Sequence, residues 1–186
     1  IDGHVDSHPG LELYENGTRK WIIFNNYGDD SLDFKTNSNT RMVINQDGTV
    51  GIGTVSPSHT LEVNGQLKAT EEVIFGTTST DLGNGDTSTL TPASSVHLLD
   101  ATSITANAVS NAHVMTLADG TTAGQILKII LNTTTNNVLI MVSTTNILGS
   151  YSGIAFETNK QGAAFEFVWT GSKWAMIGKN PLATAG

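Results

Sequence analysis

Residues 41–70 consist of very short extended segments that turns separate from one another, and this pattern limits what the chain can fold into. Met42 and Ile44 alternate with polar neighbours, and the Asp47-Gly48 pair that follows predicts a hairpin turn, because both residue types tolerate a positive φ. Each segment is too short to bury a core alone. The pattern therefore predicts a β-structure whose segments become buried by assembly with other copies of the chain.

Glycine occupies alternate positions in the segment after this turn. Val50 and Ile52 alternate with Gly51 and Gly53, so one face of the strand carries no side chains. Such a strand fits where another stretch of backbone comes very close. Pro57 then ends the pairing, since it has no N–H to donate to a ladder.

Composition also favours strands over helices. Charged residues make up 14% of the chain and hydrophobic residues 38%, Thr, Asn and Gly are abundant, and no window carries a sustained helical period. The net charge of −8, with nine unclustered basic residues, argues against nucleic acid and anionic membranes as partners. No stretch approaches the ~20 apolar residues that insert across a membrane. The absence of Cys excludes disulfides and thiolate metal sites.

A hairpin is predicted near the N-terminus. Residues 11–14 alternate between apolar and polar side chains, and Asn16-Gly17 predicts a type I′ turn. Trp21 and Ile23 share one face of the returning strand, while the apolar residues that follow each of them share the other. Both faces of this strand are therefore expected to be buried.

Composition divides the chain into three regions. Residues 1–70 form an N-terminal domain of hairpins and shaft; residues 71–95 form a connector with little core of its own, although 71–75 is a strand candidate; residues 96–186 form a C-terminal domain. Short strands at regular spacing predict a jelly-roll-like β-sandwich there. The strand candidates of this domain are 96–99, 103–106, 113–117, 125–131, 137–143, 153–157, 163–169 and 173–178.

The run Asp-Gly-Thr-Val-Gly-Ile-Gly-Thr-x-x-Pro-Ser-x-x-Leu-x-Val-x-Gly at residues 47–65 resembles a segment common in tail-fibre proteins of bacterial viruses and in fibre-type trimeric adhesins of bacterial surfaces. In that family the segment is a junction in a homotrimeric, β-rich shaft, often just ahead of a tip. The resemblance implies an all-β, elongated, intertwined homotrimer with a short-strand shaft and a C-terminal β-sandwich head. It also implies an extracellular location, on a virion tail fibre or a bacterial cell surface.

Asp2, His4, Asp6 and His8 alternate along the chain, so in an extended strand all four point to one face. In a parallel trimer three copies of this face converge on the axis, where imidazoles suit a transition metal. Tail-spike proteins that resemble this chain hold iron with axial His pairs, so the resemblance implies His4 and His8 as metal ligands. The alternative is a solvated, frayed end that binds no cofactor, because a Pro-Gly break follows.

Aromatic residues near the C-terminus have two interpretations. Trp169 and Trp174 flank a short turn, and an aromatic face is the natural platform for a sugar ring, which makes Trp174 a candidate ligand contact. The strict alternation of Phe165, Phe167 and Trp169 instead favours an inward-facing core row.

A loop between two predicted strands holds the other candidate contacts. Asn146, Tyr151 and Ser152 lie there, and binding residues often sit on loops over a rigid sheet. These residues and Trp174 are the predicted ligand-binding set.

Catalysis is not expected, since the chain contains no nucleophile elbow, phosphate loop, dinucleotide fingerprint or His-Glu-x-x-His motif. We therefore expect a fibre tip that acts as an adhesin or receptor-binding protein for a bacterial surface polysaccharide or envelope protein. A purely structural fibre segment without a ligand is the alternative. A glycan depolymerase is a weaker one, because its paired carboxylates are usually presented on a long β-helix that the sequence does not indicate. Candidates for such a pair are Asp29, Asp30, Asp33, Glu157 and Glu166.

Overall fold

The computed structural model describes residues 7–82, 89–103, 113–134, 139–143, 147–149, 153–157, 160–180 and 184–185. Regular structure in these residues is β-strand throughout and none is helical, which confirms the all-β prediction. In the described part of the chain no helix is long and apolar enough to cross a membrane. The chain divides into two compact units, unit 1 (Ile1–Glu72) and unit 2 (Val73–Gly186).

Unit 1 contains one six-stranded sheet in which the strands lie side by side in chain order. They are β1 (Gly10–Glu15), β2 (Thr18–Asn26), β3 (Ser31–Thr36), β4 (Asn39–Ile44), β5 (Val50–Ile52) and β6 (Leu61–Val63). Neighbours pair antiparallel from β1 to β5, and β5 pairs parallel with β6.

The first hairpin of this sheet has the predicted turn. Asn16 and Gly17 have φ values of 48° and 73°, so both central residues are left-handed, as a type I′ turn requires. The same turn joins β1 to β2 in the register that pairs Leu11 with Ile23.

The hairpin turn predicted at Asp47-Gly48 is formed between β4 and β5. Gly48 has a φ of 86° and Asp47 does not have a positive φ, so one residue of the pair is left-handed rather than both. The Asn45 N–H donates to the Thr49 carbonyl at 2.9 Å, and the Gly48 N–H donates to the Asn45 carbonyl at 3.0 Å. These bonds enclose a three-residue loop in which glycine takes the left-handed position.

The close backbone approach predicted for the glycine-rich strand is present at Gly51. A Cβ atom on Gly51 would lie 2.5 Å from the Thr54 carbonyl oxygen and 3.0 Å from Val43 Cγ1. The loop after β5 therefore folds back over this strand, and a side chain at position 51 has no room.

Unit 2 contains two five-stranded sheets. Strands β7 (Thr77–Asp81), β9 (Val96–Ala101), β11 (Ile126–Thr134), β14 (Ala164–Trp169) and β15 (Trp174–Lys179) form the first sheet. Strands β8 (Thr89–Leu90), β10 (His113–Leu117), β12 (Leu139–Ser143), β13 (Gly153–Glu157) and β16 (Thr184–Ala185) form the second.

Strand pairing in unit 2 differs from that of a jelly roll. From β7 to β12 successive strands alternate between the sheets, and β7, β9 and β11 pair parallel, as do β8, β10 and β12. Antiparallel pairing begins only with β13 and β14. A jelly roll is built from antiparallel strands, so the jelly-roll expectation is corrected. From β7 to β12, each new strand pairs parallel with the preceding strand of its own sheet.

The core of unit 2 lies between its two sheets. Phe165, Phe167 and Trp169 on β14 are 0%, 0% and 5% exposed, which confirms the predicted core row. Phe156 on β13 meets Phe165 edge-to-face with ring centroids 5.1 Å apart, so side chains of both sheets interdigitate.

Residues 73–95 of the stretch predicted as a connector lie in unit 2. They contribute β7 and β8, and Leu82 and Leu90 are 0% and 1% exposed within the main core. The strand candidate at 71–75 is not formed, and Ile74 is 84% exposed. Threonine-rich strands escaped the sequence prediction because their inward Thr side chains do not produce an apolar pattern.

Candidate assembly face and predicted binding residues

One face of the sheet in unit 1 is apolar from edge to edge. Cross-strand register places one residue from each of the six strands in a single row: Leu11, Ile23, Phe34, Met42, Ile52 and Val63. A second row beside it contains Leu32, Ile44, Val50 and Leu61. Leu13 and Trp21 pair at the β1 end of the same face. These side chains together are called the apolar face.

The apolar face is open to solvent in the single chain. Its exposed members are between 39% and 56% accessible: Leu11, Leu13, Trp21, Leu32, Ile52 and Leu61. The remaining members are partly exposed, and none is buried. Soluble monomers rarely expose a continuous apolar patch of more than a few hundred Å², so the apolar face is a candidate interaction surface.

The opposite face of the sheet is closed by the chain itself. Phe24 and Val43 point to this side and are 7% and 1% exposed. The His8 ring packs edge-on against Phe24 with centroids 5.2 Å apart, and the loop at Thr54 lies over Gly51. Local loops therefore cover one face of the sheet, whereas no described residue of the chain covers the apolar face.

Polar groups are buried on this closed side. The Asp33 carboxylate is 5% exposed. It accepts a hydrogen bond from the Thr40 hydroxyl at 3.3 Å and lies 3.0 Å from the Ser31 hydroxyl, whose one proton it shares with Asp29 Oδ1. Buried carboxylates need such donors. These bonds tie β3 to β4 without adding charge to the apolar face.

Charge on the β1 edge lies in a local network. The Glu12 carboxylate accepts a hydrogen bond from the Tyr14 hydroxyl at 2.7 Å and pairs with the Arg19 guanidinium at 2.6 Å. The Tyr14 hydrogen bond, followed by Arg19, lowers the pKa of Glu12, and the same hydrogen bond raises the pKa of Tyr14. Charges on an edge strand discourage uncontrolled strand addition, so this edge is protected while the apolar face is not.

The predicted ligand contact Trp174 is a core residue. Its side chain is 0% exposed, its Nε1 donates to the Ala118 carbonyl at 2.9 Å, and its ring lies 5.2 Å from that of Trp169. A sugar in solution has no access to this indole, so the core interpretation replaces the saccharide platform. The other predicted contacts, Asn146, Tyr151 and Ser152, lie outside the described residues.

His8, one of the predicted metal ligands, is engaged within unit 1. Its Nδ1 accepts a hydrogen bond from the Tyr27 N–H at 3.3 Å, and its ring contacts both Tyr27 and Phe24. Among the described residues no group of three or more His, Cys, Asp or Glu side chains is placed to hold a metal ion. His4 lies outside the described residues, so no distance between the predicted metal ligands His4 and His8 can be given.

The sequence alone does not show that these apolar side chains form one continuous face. Alternating pairs such as Trp21 and Ile23, or Met42 and Ile44, are visible in the sequence one strand at a time. Only the hairpin registers place every pair on the same side. Among known proteins, no family model matches the chain, and no curated protein matches it either.

Proposed function

We propose that this chain is a subunit of a homotrimeric extracellular fibre, carried on a virion tail or a bacterial cell surface, and that it binds a bacterial surface polysaccharide or envelope protein without chemical turnover. Unit 1 assembles the fibre through its apolar face, and unit 2 is the C-terminal β-sandwich domain.

The apolar face is the observation that carries this proposal. Complete burial of an aliphatic side chain contributes about 1.5–3 kcal/mol. Leu11, Leu13, Leu32, Ile52 and Leu61 each retain about half of their accessible surface. Covering these five contributes roughly 4–7 kcal/mol per copy. This gross contribution reaches the range of a typical domain's net stability, about 5–15 kcal/mol, before the entropic cost of association is subtracted.

Unit 2 has a smaller partly apolar surface on the outer side of β11, interrupted by the Lys128–Glu166 ion pair. Leu127, Ile129 and Leu131 on β11 are fully buried, whereas Ile126, which points to the other side of the strand, is 50% exposed. Ile130 is partly exposed on that same outer side. A neighbouring subunit over this sheet would cover both isoleucines.

Three copies are proposed because the segment at residues 47–65 resembles junctions of trimeric fibres. In a trimer, three sheets around an axis would each turn the apolar face inward. In a dimer, two sheets stacked face to face would bury the same surface. A trimer also presents three identical binding sites on one rigid body, so that avidity multiplies a modest affinity per site.

A structural fibre segment without a ligand is the second candidate. The burial of Trp169 and Trp174 favours it, because neither indole of unit 2 is available for stacking on a sugar. The two candidates share the same assembly and differ only in whether the assembled protein adheres to cells.

The two are separated by measuring stoichiometry and adhesion on the same sample. Native mass spectrometry of the purified chain should give three copies, and the fluorescently labelled assembly should bind to an array of bacterial surface polysaccharides or to whole bacteria. A trimer that binds no array member and no cells would leave the structural segment. A folded, stable monomer would refute both.

A further inference from the structure

Three loops meet at one end of the sheet in unit 1 and enclose an open groove of about 550 Å³. They are residues 27–30 between β2 and β3, residues 45–49 between β4 and β5, and residues 53–60 between β5 and β6. The polar side chains that line the groove are Asp29, Asn45, Gln46, Asp47, Ser56 and Ser58.

Each carboxylate in the groove is anchored through one oxygen. Asp29 Oδ1 accepts from the Ser31 N–H at 3.2 Å and the Ser31 hydroxyl at 2.7 Å. Asp47 Oδ1 accepts from the Thr49 N–H at 2.9 Å and the Thr49 hydroxyl at 2.7 Å. Neither Oδ2 accepts a hydrogen bond from another described residue. The turns therefore hold both carboxylates in place and leave one oxygen of each for a ligand.

The third loop is held in the same way. The N–H and hydroxyl of Ser58 both donate to Glu62 Oε2 at 2.8 Å, and the Ser56 N–H donates to the Thr54 hydroxyl at 3.3 Å. Pre-organised loops lose little conformational freedom when a ligand binds. The groove is thus formed before any ligand arrives.

The chemistry of the lining selects a class of ligand. Among the residues that line the groove there is no Lys or Arg, and its two carboxylates repel anions. Carboxylates accept hydrogen bonds from hydroxyl groups, and side-chain amides and hydroxyls both accept and donate them; charge-assisted O–H···O⁻ bonds are the strongest of these. Val55 and Pro57 add a small apolar surface that the C–H face of a sugar ring can cover.

We propose that this groove binds a neutral saccharide, with Asp29, Asp47 and Gln46 making hydrogen bonds to its hydroxyl groups. The inference rests on the proposed function and adds the ligand class and the site. It moves glycan recognition from the loops of unit 2 to the loops of unit 1.

The groove stays accessible when the apolar face is covered. Thr54, in the loop that forms one wall, lies over Gly51, and Gly51 points away from the apolar face because its neighbours on β5, Val50 and Ile52, belong to that face. Assembly through the apolar face therefore leaves the groove wall on the outer side of unit 1.

Matched substitutions test the groove in the full chain. Gln46→Ala removes an exposed amide from the groove, and Gln66→Ala makes the same change at an exposed position outside it. Asp29→Asn replaces a lining carboxylate, and Asp30→Asn changes its neighbour, whose φ of 58° suits Asn. The probes are immobilised dextran, mannan and galactan as neutral polysaccharides and polygalacturonate as an acidic one, each with and without EDTA.

The wild-type chain should bind at least one neutral polysaccharide, and EDTA should not change that binding. Gln46→Ala should weaken it about three- to tenfold and Asp29→Asn at least tenfold, as expected for losing a neutral and a charged hydrogen bond. The control variants should bind as the wild type does, and all variants should keep its thermal unfolding midpoint.

Neutral-polysaccharide binding that neither Gln46→Ala nor Asp29→Asn weakens would overturn the groove and leave the adhesin proposal standing. Binding that EDTA abolishes, or a preference for polygalacturonate, would overturn the neutral-saccharide assignment. If the wild type binds no polysaccharide and no bacterial cells, the adhesin function fails together with the groove.

Discussion

Replacing Leu32 with Asp tests the apolar face at the centre of the sheet. Leu32 is 39% exposed in the single chain and pairs with Ile44 on β4. If another copy covers it, the substitution loses about 1 kcal/mol of apolar burial, and it places a carboxylate in a dry interface at a cost of several kcal/mol. We take about 3 kcal/mol per copy as the lower bound. Three copies then lose about 9 kcal/mol, or more than six powers of ten in the association constant.

Sedimentation velocity between roughly 1 and 50 µM shows the outcome, since a loss of this size exceeds what concentration can compensate. The wild type should sediment as a trimer and Leu32→Asp as a monomer or an unfolded chain. Leu67→Asp is the matched control, because Leu67 is 78% exposed and lies outside the apolar face. If Leu32→Asp sediments like the wild type, or if the wild type is itself a folded monomer, the reasoning from the apolar face is wrong.

Other substitutions test the two cores and one buried histidine. Trp174→Phe should destabilise unit 2 by about 1–3 kcal/mol in urea unfolding, because it removes the hydrogen bond to the Ala118 carbonyl and leaves space where the buried indole packed; an unchanged midpoint would contradict the core assignment. Gly51→Ala should lower the free energy of unfolding by about 1–3 kcal/mol, since its Cβ would lie 2.5 Å from the Thr54 carbonyl oxygen. Gly28→Ala is the control and should leave the free energy of unfolding nearly unchanged, because its Cβ would meet nothing closer than 3.4 Å. Burial lowers the pKa of His97. Below the usual histidine pKa of about 6.5, the unfolded chain therefore binds more protons at this residue than the folded chain does. Stability should therefore be complete above that pH and fall as the pH drops toward 5, and His97→Gln should remove the slope in this range.

Local patterns predicted much of unit 1. The Asn16-Gly17 turn, the strands that flank it and the glycine-lined strand at Val50–Ile52 form where the sequence indicates, because turn residues and two-residue alternation act within a few positions of one another. The same local reasoning placed the hairpin turn at Asp47-Gly48 but did not give its loop length, since that length depends on how β4 and β5 align.

The predicted binding residues show more clearly what local sequence patterns cannot predict. Trp174 lies next to a turn, and a turn suggests exposure, but the opposing sheet of unit 2 buries it completely. The groove of unit 1 was equally hidden in the sequence. Asp29 and Asp47 are far apart along the chain, and two separate turns bring them to one end of the sheet.

The sequence by itself therefore determined the class of structure, which is short strands joined by turns. Tertiary structure alone decided that Leu11 and Val63 stand in one continuous row and that β9 and β11 run parallel. The reason is physical. Strand propensity and turn geometry are properties of neighbouring residues, whereas register and strand direction are set by contacts between residues distant in the chain, which form only when the whole fold closes.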